Sequence, residues 1–260
     1  MKKIPSILLP SMILLLSTGG ACGPREDAGG AKELTVLCGS SFVKPTEELI
    51  HRFTEETGIA VKYTVAGSED FLPLVKAGKE GDVLVTHDPY LQYVTDAGAC
   101  ADHVTVGRLA PVLAVRKGNP KGIRSIGDLA RPGLRVALPD PRYSTCGGMV
   151  AELLEKKGIE EGVMKNVGSR LTKGHSTLGT FLKTGVVDAA ILWNGVARQF
   201  ADALEVVPVP YEYGTRIRVH VIGLDYTKHP AELKRFMAFA GAHGPEIFAR
   251  FGYEVKERRE

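Results

Sequence analysis

The sequence predicts an α/β protein whose mainly parallel sheets are covered by helices on both faces. Two observations point there. Short β-rich runs alternate with helical stretches from about residue 33 to residue 251, and several of those stretches stop at a glycine. Repeated strand–helix–strand units favour parallel pairing, because the crossover helix returns the chain to the same end of the sheet. A hydrophobic content of 44% is ordinary for a packed globule, and about 225 residues suffice for one large or two medium domains.

Taken in order, residues 34–38 form a short β-rich run. Residues 44–56 place Leu49, Ile50 and Phe53 on one helical face, and Gly58 closes that helix. Residues 59–65 alternate as a strand, 70–77 make a short helix ended by Gly78, and 82–86 are a further apolar strand. One strand is expected over 108–116, with Pro111 early in it. Residues 134–138 read as a strand, 148–157 as a helix stopped by Gly158, 176–183 as a short helix, and 189–193 as a buried strand. Residues 216–223 alternate again. The last element, 230–251, is expected to be helical with breaks at Gly241 and Gly244.

Ahead of these elements, Lys2 and Lys3 precede an apolar run to Leu16, and Gly19, Gly20 and Ala21 precede Cys22. That order is a secretory signal over 1–21, and its apolar run is shorter than the ~20 residues a membrane span needs. A cysteine after small residues resembles a lipobox, which makes Cys22 the expected lipid attachment point and the protein periplasmic or displayed on the cell surface. Gly19 stands where a lipobox carries an apolar residue, so a simple cleaved signal stays open. Residues 22–32 read as a flexible tether. Without residues 1–21, which hold Lys2 and Lys3 and no acid, the balance is 31 basic to 30 acidic side chains. Near neutrality argues against a nucleic-acid partner. Besides Cys22 there are Cys38, Cys100 and Cys146, an odd number that implies no disulfide framework.

The loops after the predicted strands carry the chemistry. Gly39-Ser40-Ser41, Ala66-Gly67-Ser68 and residues 140–148 each run into a helix. Helix N-termini hold unpaired N–H groups and the positive end of the macrodipole, and serine hydroxyls add donors without charge. Parallel sheets place ligands at the carboxyl ends of their strands. Singly, such serines are ordinary helix caps; several converging on one cleft make an anion site.

With these pieces in hand, the chain resembles periplasmic molybdate-binding proteins, the substrate-binding subunits of ABC importers, along nearly its whole length after residue 33. The matching pieces are Leu-Cys-Gly-Ser-Ser-Phe at 37–42, Ala-Gly-Ser-Glu-Asp-Phe at 66–71, and residues 76–83, 137–141, 188–193 and 245–253. The resemblance implies a two-lobed periplasmic-binding-protein fold: lobe 1 over 33–112 plus 218–260, lobe 2 over 113–217, with crossings near Pro111 and near Thr215 and Arg216. It implies a tetrahedral oxyanion, molybdate or tungstate, held between the lobes by uncharged donors and passed to a membrane permease, with no cofactor. Ser41 and Ser68 fall on the two ligand serines, Cys146 and His175 where backbone N–H groups bind, and Trp193 on a tyrosine.

Some positions depart from that pattern. Trp193 keeps one donor, with a different reach. Glu69 replaces a small polar residue beside Ser68; facing the cleft it repels a dianion, facing outward it stabilises a helix N-terminus. Cys38, Cys146 and His175 near the cleft leave room for a soft transition metal as ligand, and sulfate is a further alternative. An enzyme is not expected: no Gly-x-Ser-x-Gly, no His-Glu-x-x-His and no dinucleotide fingerprint occurs.

Overall fold

A computed structural model describes residues 33–208 and 217–253. The signal over 1–21, the tether with Cys22, and the crossing expected near Thr215 and Arg216 lie outside the described residues. The chain runs β1 (Glu33–Gly39), α1 (Val43–Thr57), β2 (Ala60–Ala66), α2 (Ser68–Lys76), β3 (Val83–His87), α3 (Tyr90–Asp96), β4 (Cys100–Leu109) and β5 (Pro111–Arg116). It continues with β6 (Val136–Pro139), α4 (Thr145–Lys156), α5 (Glu160–Val167), β7 (Leu171–Thr172), α6 (His175–Lys183), β8 (Ala189–Trp193) and α7 (Asn194–Gln199). β9 (Leu204–Val206), β10 (Ile217–Leu224) and α8 (Pro230–Arg250) complete it.

These strands make two five-stranded sheets, ordered β2-β1-β3-β10-β4 and β7-β6-β8-β5-β9. In the first, β1, β2 and β3 are parallel and β10 is antiparallel to both its neighbours, so four of five strands share one direction. In the second, β6, β7 and β8 are parallel and β5 alone is reversed. Each reversed strand is the first of its sheet after the chain arrives from the other. The result is a mainly parallel α/β protein of two sheets.

The single strand expected over 108–116 is two strands in different sheets. Pro111 has no N–H to continue the ladder, and the chain changes sheet at Ala110. The first half of β4 escaped the sequence pattern because it is an exposed sheet edge carrying Asp102 and His103. Pro111 starts β5 opposite Trp193 of β8. Asn194 extends that pairing: its N–H donates to the Ala110 carbonyl (2.9 Å), its Oδ1 accepts from the Ala110 N–H (3.0 Å), and its Nδ2 donates to the Gly252 carbonyl (2.8 Å).

α1 buries Leu49, Ile50 and Phe53, with Gly58 at φ 70° as its left-handed cap. Phe53 meets Phe236 and Phe239 of α8 edge-on, with centroids 5.0 and 5.5 Å apart. The breaks expected at Gly241 and Gly244 do not occur: α8 is continuous over 21 residues. Burial of Phe236, Phe239, Ile247 and Phe248 overrides the weak helix propensity of glycine. Gly244 is there for close approach, because a Cβ on it would lie 2.7 Å from Cγ1 of Val106 on β4.

Gly244→Ala separates two effects. Propensity alone predicts a gain of up to ~1 kcal/mol, whereas overpacking against a stiff β-branched neighbour costs about 1–3 kcal/mol. Net destabilisation is expected, read as a lower urea midpoint at unchanged slope; a raised midpoint would show that α8 can move away from β4.

Candidate functional site

The carboxyl ends of six strands face one small cavity of about 30 Å³. From the first sheet, β1 delivers Gly39, Ser40 and Ser41, β2 delivers Gly67, Ser68 and Glu69, and β3 delivers His87, followed by Tyr90. From the second, β6 leads to Tyr143, Ser144 and Thr145, β7 to Lys173 and His175, and β8 ends on Trp193. The volume is far below the ~300–1,000 Å³ of drug-sized ligand clefts and suits a small ion.

Of the five residues that the sequence singles out, Ser41, Ser68, His175 and Trp193 line this cavity. Cys146 does not. It is the second residue of α4, and its side chain is fully buried in the core. At that helix start the cavity meets Ser144, the N-cap, whose Oγ accepts from the Gly147 N–H at 3.3 Å, and Thr145.

The serines are held from behind. Thr86 donates its hydroxyl to Ser68 Oγ at 2.7 Å, which leaves the Ser68 proton free to be given elsewhere. The Ser40 N–H bonds the Ala66 carbonyl at 2.8 Å and the Phe42 N–H bonds the Gly39 carbonyl at 2.8 Å, fixing the turn after β1. The Tyr253 hydroxyl donates to the Ser41 carbonyl. Thr86 is silent in the sequence, since a threonine inside a strand carries no local signal; Tyr253 ends the matching piece 245–253, but its contact with Ser41 is not encoded there.

Two imidazoles face the cavity, both neutral. His87 Nδ1 lies 2.6 Å from the Asp88 carbonyl; a carbonyl only accepts, so Nδ1 carries the proton. His175 Nε2 lies 3.2 Å from Ser144 Oγ, and its ring stacks on Trp193 at 5.3 Å and 26°. Burial pushes His87 down to about 4 and His175 down to about 3, the latter with a smaller contribution from His87. Trp193, the only tryptophan in the sequence, is buried, borders the cavity, and meets His87 edge-on at 5.8 Å.

Glu69 does both things its sequence position allowed. It borders the cavity, and its carboxylate folds back over Gly67, where a Cβ would fall 2.1 Å from Oε1. There it caps its own backbone N–H at the start of α2, while burial raises its pKa. Lys173, from the other sheet, bonds Asp70 at 2.8 Å and lies 3.8 Å from Glu69. Burial pushes Cys38 up to about 12 and Cys146 well above the thiol range, and among the described residues no group of three or more His, Cys, Asp and Glu side chains comes together.

The family model for bacterial extracellular solute-binding proteins matches residues 34–254. A putative binding protein of Haemophilus influenzae is 28% identical over 231 residues, 86% of this chain and 91% of that protein. A molybdate-binding protein of Mycobacterium tuberculosis is 26% identical over 255 residues, 96% and 95% of the two chains. Among solved structures, the periplasmic molybdate-binding protein of Azotobacter vinelandii superposes with a TM-score of 0.70 at 18% identity, covering 86% of this chain and 100% of that one. A sulfate-binding protein of M. tuberculosis superposes with a TM-score of 0.70 at 18% identity, covering 86% and 88%.

The depressed imidazoles predict an acid-sensitive fold. In the unfolded chain a histidine titrates near 6.5, so below that pH the unfolded state holds more protons than the native one. The stability contributed by neutral His87 and His175 is therefore complete above about pH 6.5 and is lost as pH falls towards their folded values near 4 and 3. Two such groups give a slope of up to about 2.7 kcal/mol per pH unit. The melting temperature is expected to drop between pH 7 and pH 5, and His175→Gln to flatten the drop; equal melting temperatures at both pH values in the parent would contradict neutral burial.

Proposed function

Because the chain belongs to the bacterial extracellular solute-binding protein family, we propose that it captures a tetrahedral oxyanion of the molybdate or tungstate kind in this cavity and delivers it to the membrane permease of an ABC importer. The carrying observation is the convergence of uncharged donors: the hydroxyls of Ser41 and Ser68 with the first turns of α2, α4 and α6. Helix N-termini and hydroxyls replace an anion's hydration shell without adding a fixed charge. Lys173, the cation bordering the cavity among the described residues, is already engaged by Asp70. Molybdate-binding relatives covering nearly the whole chain favour that ligand; sulfate is the second candidate, because a sulfate-binding protein shares the fold. A soft metal is disfavoured by two protonated, buried thiols, neither of which borders the cavity.

In this reading the protein is a binder that closes on its ligand. Groups from both sheets contact the anion, and the permease recognises the closed form. Only a ligand with higher affinity for the closed state drives that shift. The amino-terminal signal and the lipid anchor at Cys22 complete the proposal by holding the protein outside the cytoplasm, at the membrane.

Thermal shift and calorimetry with molybdate, tungstate, sulfate and Zn²⁺ test the ligand class, since a native-state binder is stabilised by mass action. One oxyanion is expected to raise the melting temperature and Zn²⁺ to leave it unchanged; no response to any oxyanion overturns the proposal. Ser41→Ala and Ser68→Ala are each expected to weaken binding by about 1.5–3 kcal/mol, the range for hydrogen bonds to charged groups. Unchanged affinity in both moves the site elsewhere. Trp193 fluorescence is expected to shift or quench with the ligand, and Trp193→Tyr to retain binding.

Glu69 supplies the sharpest test. Its carboxylate sits on an anion-attracting helix start, so it competes with a dianion. Glu69→Gln is expected to tighten molybdate binding several-fold by calorimetry. Loss of binding in this variant indicates instead a ligand that brings its own proton for Glu69 to accept.

A further inference from the structure

Among the described residues two buried side-chain atoms have no hydrogen-bond partner, Thr46 Oγ1 and His175 Nδ1. Thr46, in the first turn of α1, meets the buried Cys38 thiol and does not line the cavity, whereas His175 is part of the cavity wall. A buried polar atom left unpaired costs about 1–3 kcal/mol, and a native structure keeps one where something else completes it. The imidazole is not free to turn away: Ser144 holds one nitrogen and the Trp193 indole covers its face.

The direction of the Ser144 hydrogen bond decides where the proton of this ring sits. Ser144 Oγ already accepts from the Gly147 N–H, and its single hydroxyl proton has His175 Nε2 within reach as acceptor. With Nε2 accepting, the ring proton of a neutral imidazole sits on Nδ1. In that tautomer the orphan atom is a donor, N–H, on a residue that lines the cavity together with Ser41, Ser68 and the starts of α2 and α4.

We infer that the His175 side chain is itself a ligand of the anion, its Nδ1–H donating to an oxyanion oxygen. This rests on the oxyanion reading of the cavity and deepens it. It gives Trp193 a second task. Where the resemblance placed a tyrosine hydroxyl at 193, this chain has an indole of different reach that stacks on the imidazole, and His175 offers a donor beside it. The ligand it selects carries an acceptor oxygen at that position. Burial keeps the ring neutral, so the donor is a dipole, like the hydroxyls around the cavity.

The test uses ¹⁵N-histidine NMR and molybdate calorimetry on the purified protein. In the ligand-free parent, His175 is expected as the Nδ1–H tautomer at pH 7; the Nε2–H tautomer overturns the inference whatever the protein binds. On adding molybdate, the Nδ1 proton is expected to move downfield and to exchange more slowly with water. His175→Phe, which keeps a ring on Trp193 without a donor, is expected to lose about 10- to 100-fold in affinity, and His175→Gln to recover part of it. If the parent binds molybdate and a folded His175→Phe binds it equally well, the inference falls and the oxyanion reading stands. If the parent binds no oxyanion, the reading falls with it. Should His175→Phe fail to fold, the tautomer and the ligand-induced shift in the parent decide.

Discussion

Two parts of the cavity wall, the Ser41 loop and Trp193, depend on how Asn194 ties the chain where it passes from one sheet to the other. Pro111 opens the second sheet without an N–H, so the crossing peptide at Ala110 is the last that can be clamped. Asn194 clamps it twice, with its backbone N–H and its Oδ1, and its Nδ2 reaches the Gly252 carbonyl. The next residues carry the constraint onward. Gly195 admits the Tyr253 ring at a distance no side chain would allow, 2.2 Å from a hypothetical Cβ to Cζ, and the Tyr253 hydroxyl holds the Ser41 carbonyl. A crossing peptide, the end of the last helix and the first serine loop are therefore one connected set of hydrogen bonds. Trp193, immediately before Asn194, is fixed by the same set.

Dehydration governs the chemistry inside. Burial disfavours charge on any group that can shed it, and the cavity wall follows that rule: two imidazoles are neutral, and Cys38 and Cys146 behind it keep their protons. What remains for an anion to meet is a ring of dipoles, set by bonds made elsewhere. Thr86 orients Ser68, the turn after β1 orients Ser41, and Ser144 orients His175. A preset dipole costs little reorganisation when an anion arrives, whereas a flexible lysine would lose side-chain entropy. The exception is Glu69, whose burial is only partial and whose charge is met by its own backbone and by Lys173.

Much of the fold was legible because its strands are buried on both faces and end in small, polar turns. The runs at 34–38, 82–86 and 189–193 lie within β1, β3 and β8 or overlap them closely, and the Ser41 and Ser68 loops follow from their ends. Illegible elements had weak periodicity for identifiable reasons. β4 is a solvent-facing edge, β7 is two residues long, and α7 is six residues long with a glycine inside. The glycines of α8 misled because propensity is local, while the reason for Gly244, contact with Val106, is tertiary. At the cavity, residues with a loop signature were found and their supports were not. Thr86, Lys173 and Tyr253 act through partners distant in sequence, and no spacing rule encodes such partners. Cys146 was assigned through its backbone N–H; its thiol is buried in the core, and at the start of α4 the residues lining the cavity are Ser144 and Thr145.

One contact between the sheets has a size that matters for how the protein works. Lys173 reaches across to Asp70 and Glu69 and also lies over the Tyr143 ring, 5.5 Å from its centre. The partners are about half exposed, and exposed ion pairs are worth roughly 0–1 kcal/mol. Moving an equilibrium from mostly open to mostly closed takes about 5.5 kcal/mol of differential affinity. The latch is therefore too weak to hold the two halves shut alone, yet large enough to bias how they approach. In the proposed function the remainder comes from the ligand, through donors that it alone can bridge: Ser41 and Ser68 from one sheet, His175 and the start of α4 from the other. Only the bonds added on closing count towards that difference, and about two to four of them, at about 1.5–3 kcal/mol each, reach it. Under that proposal the division of labour is physical: the ion pair aligns the two sheets and the anion closes them.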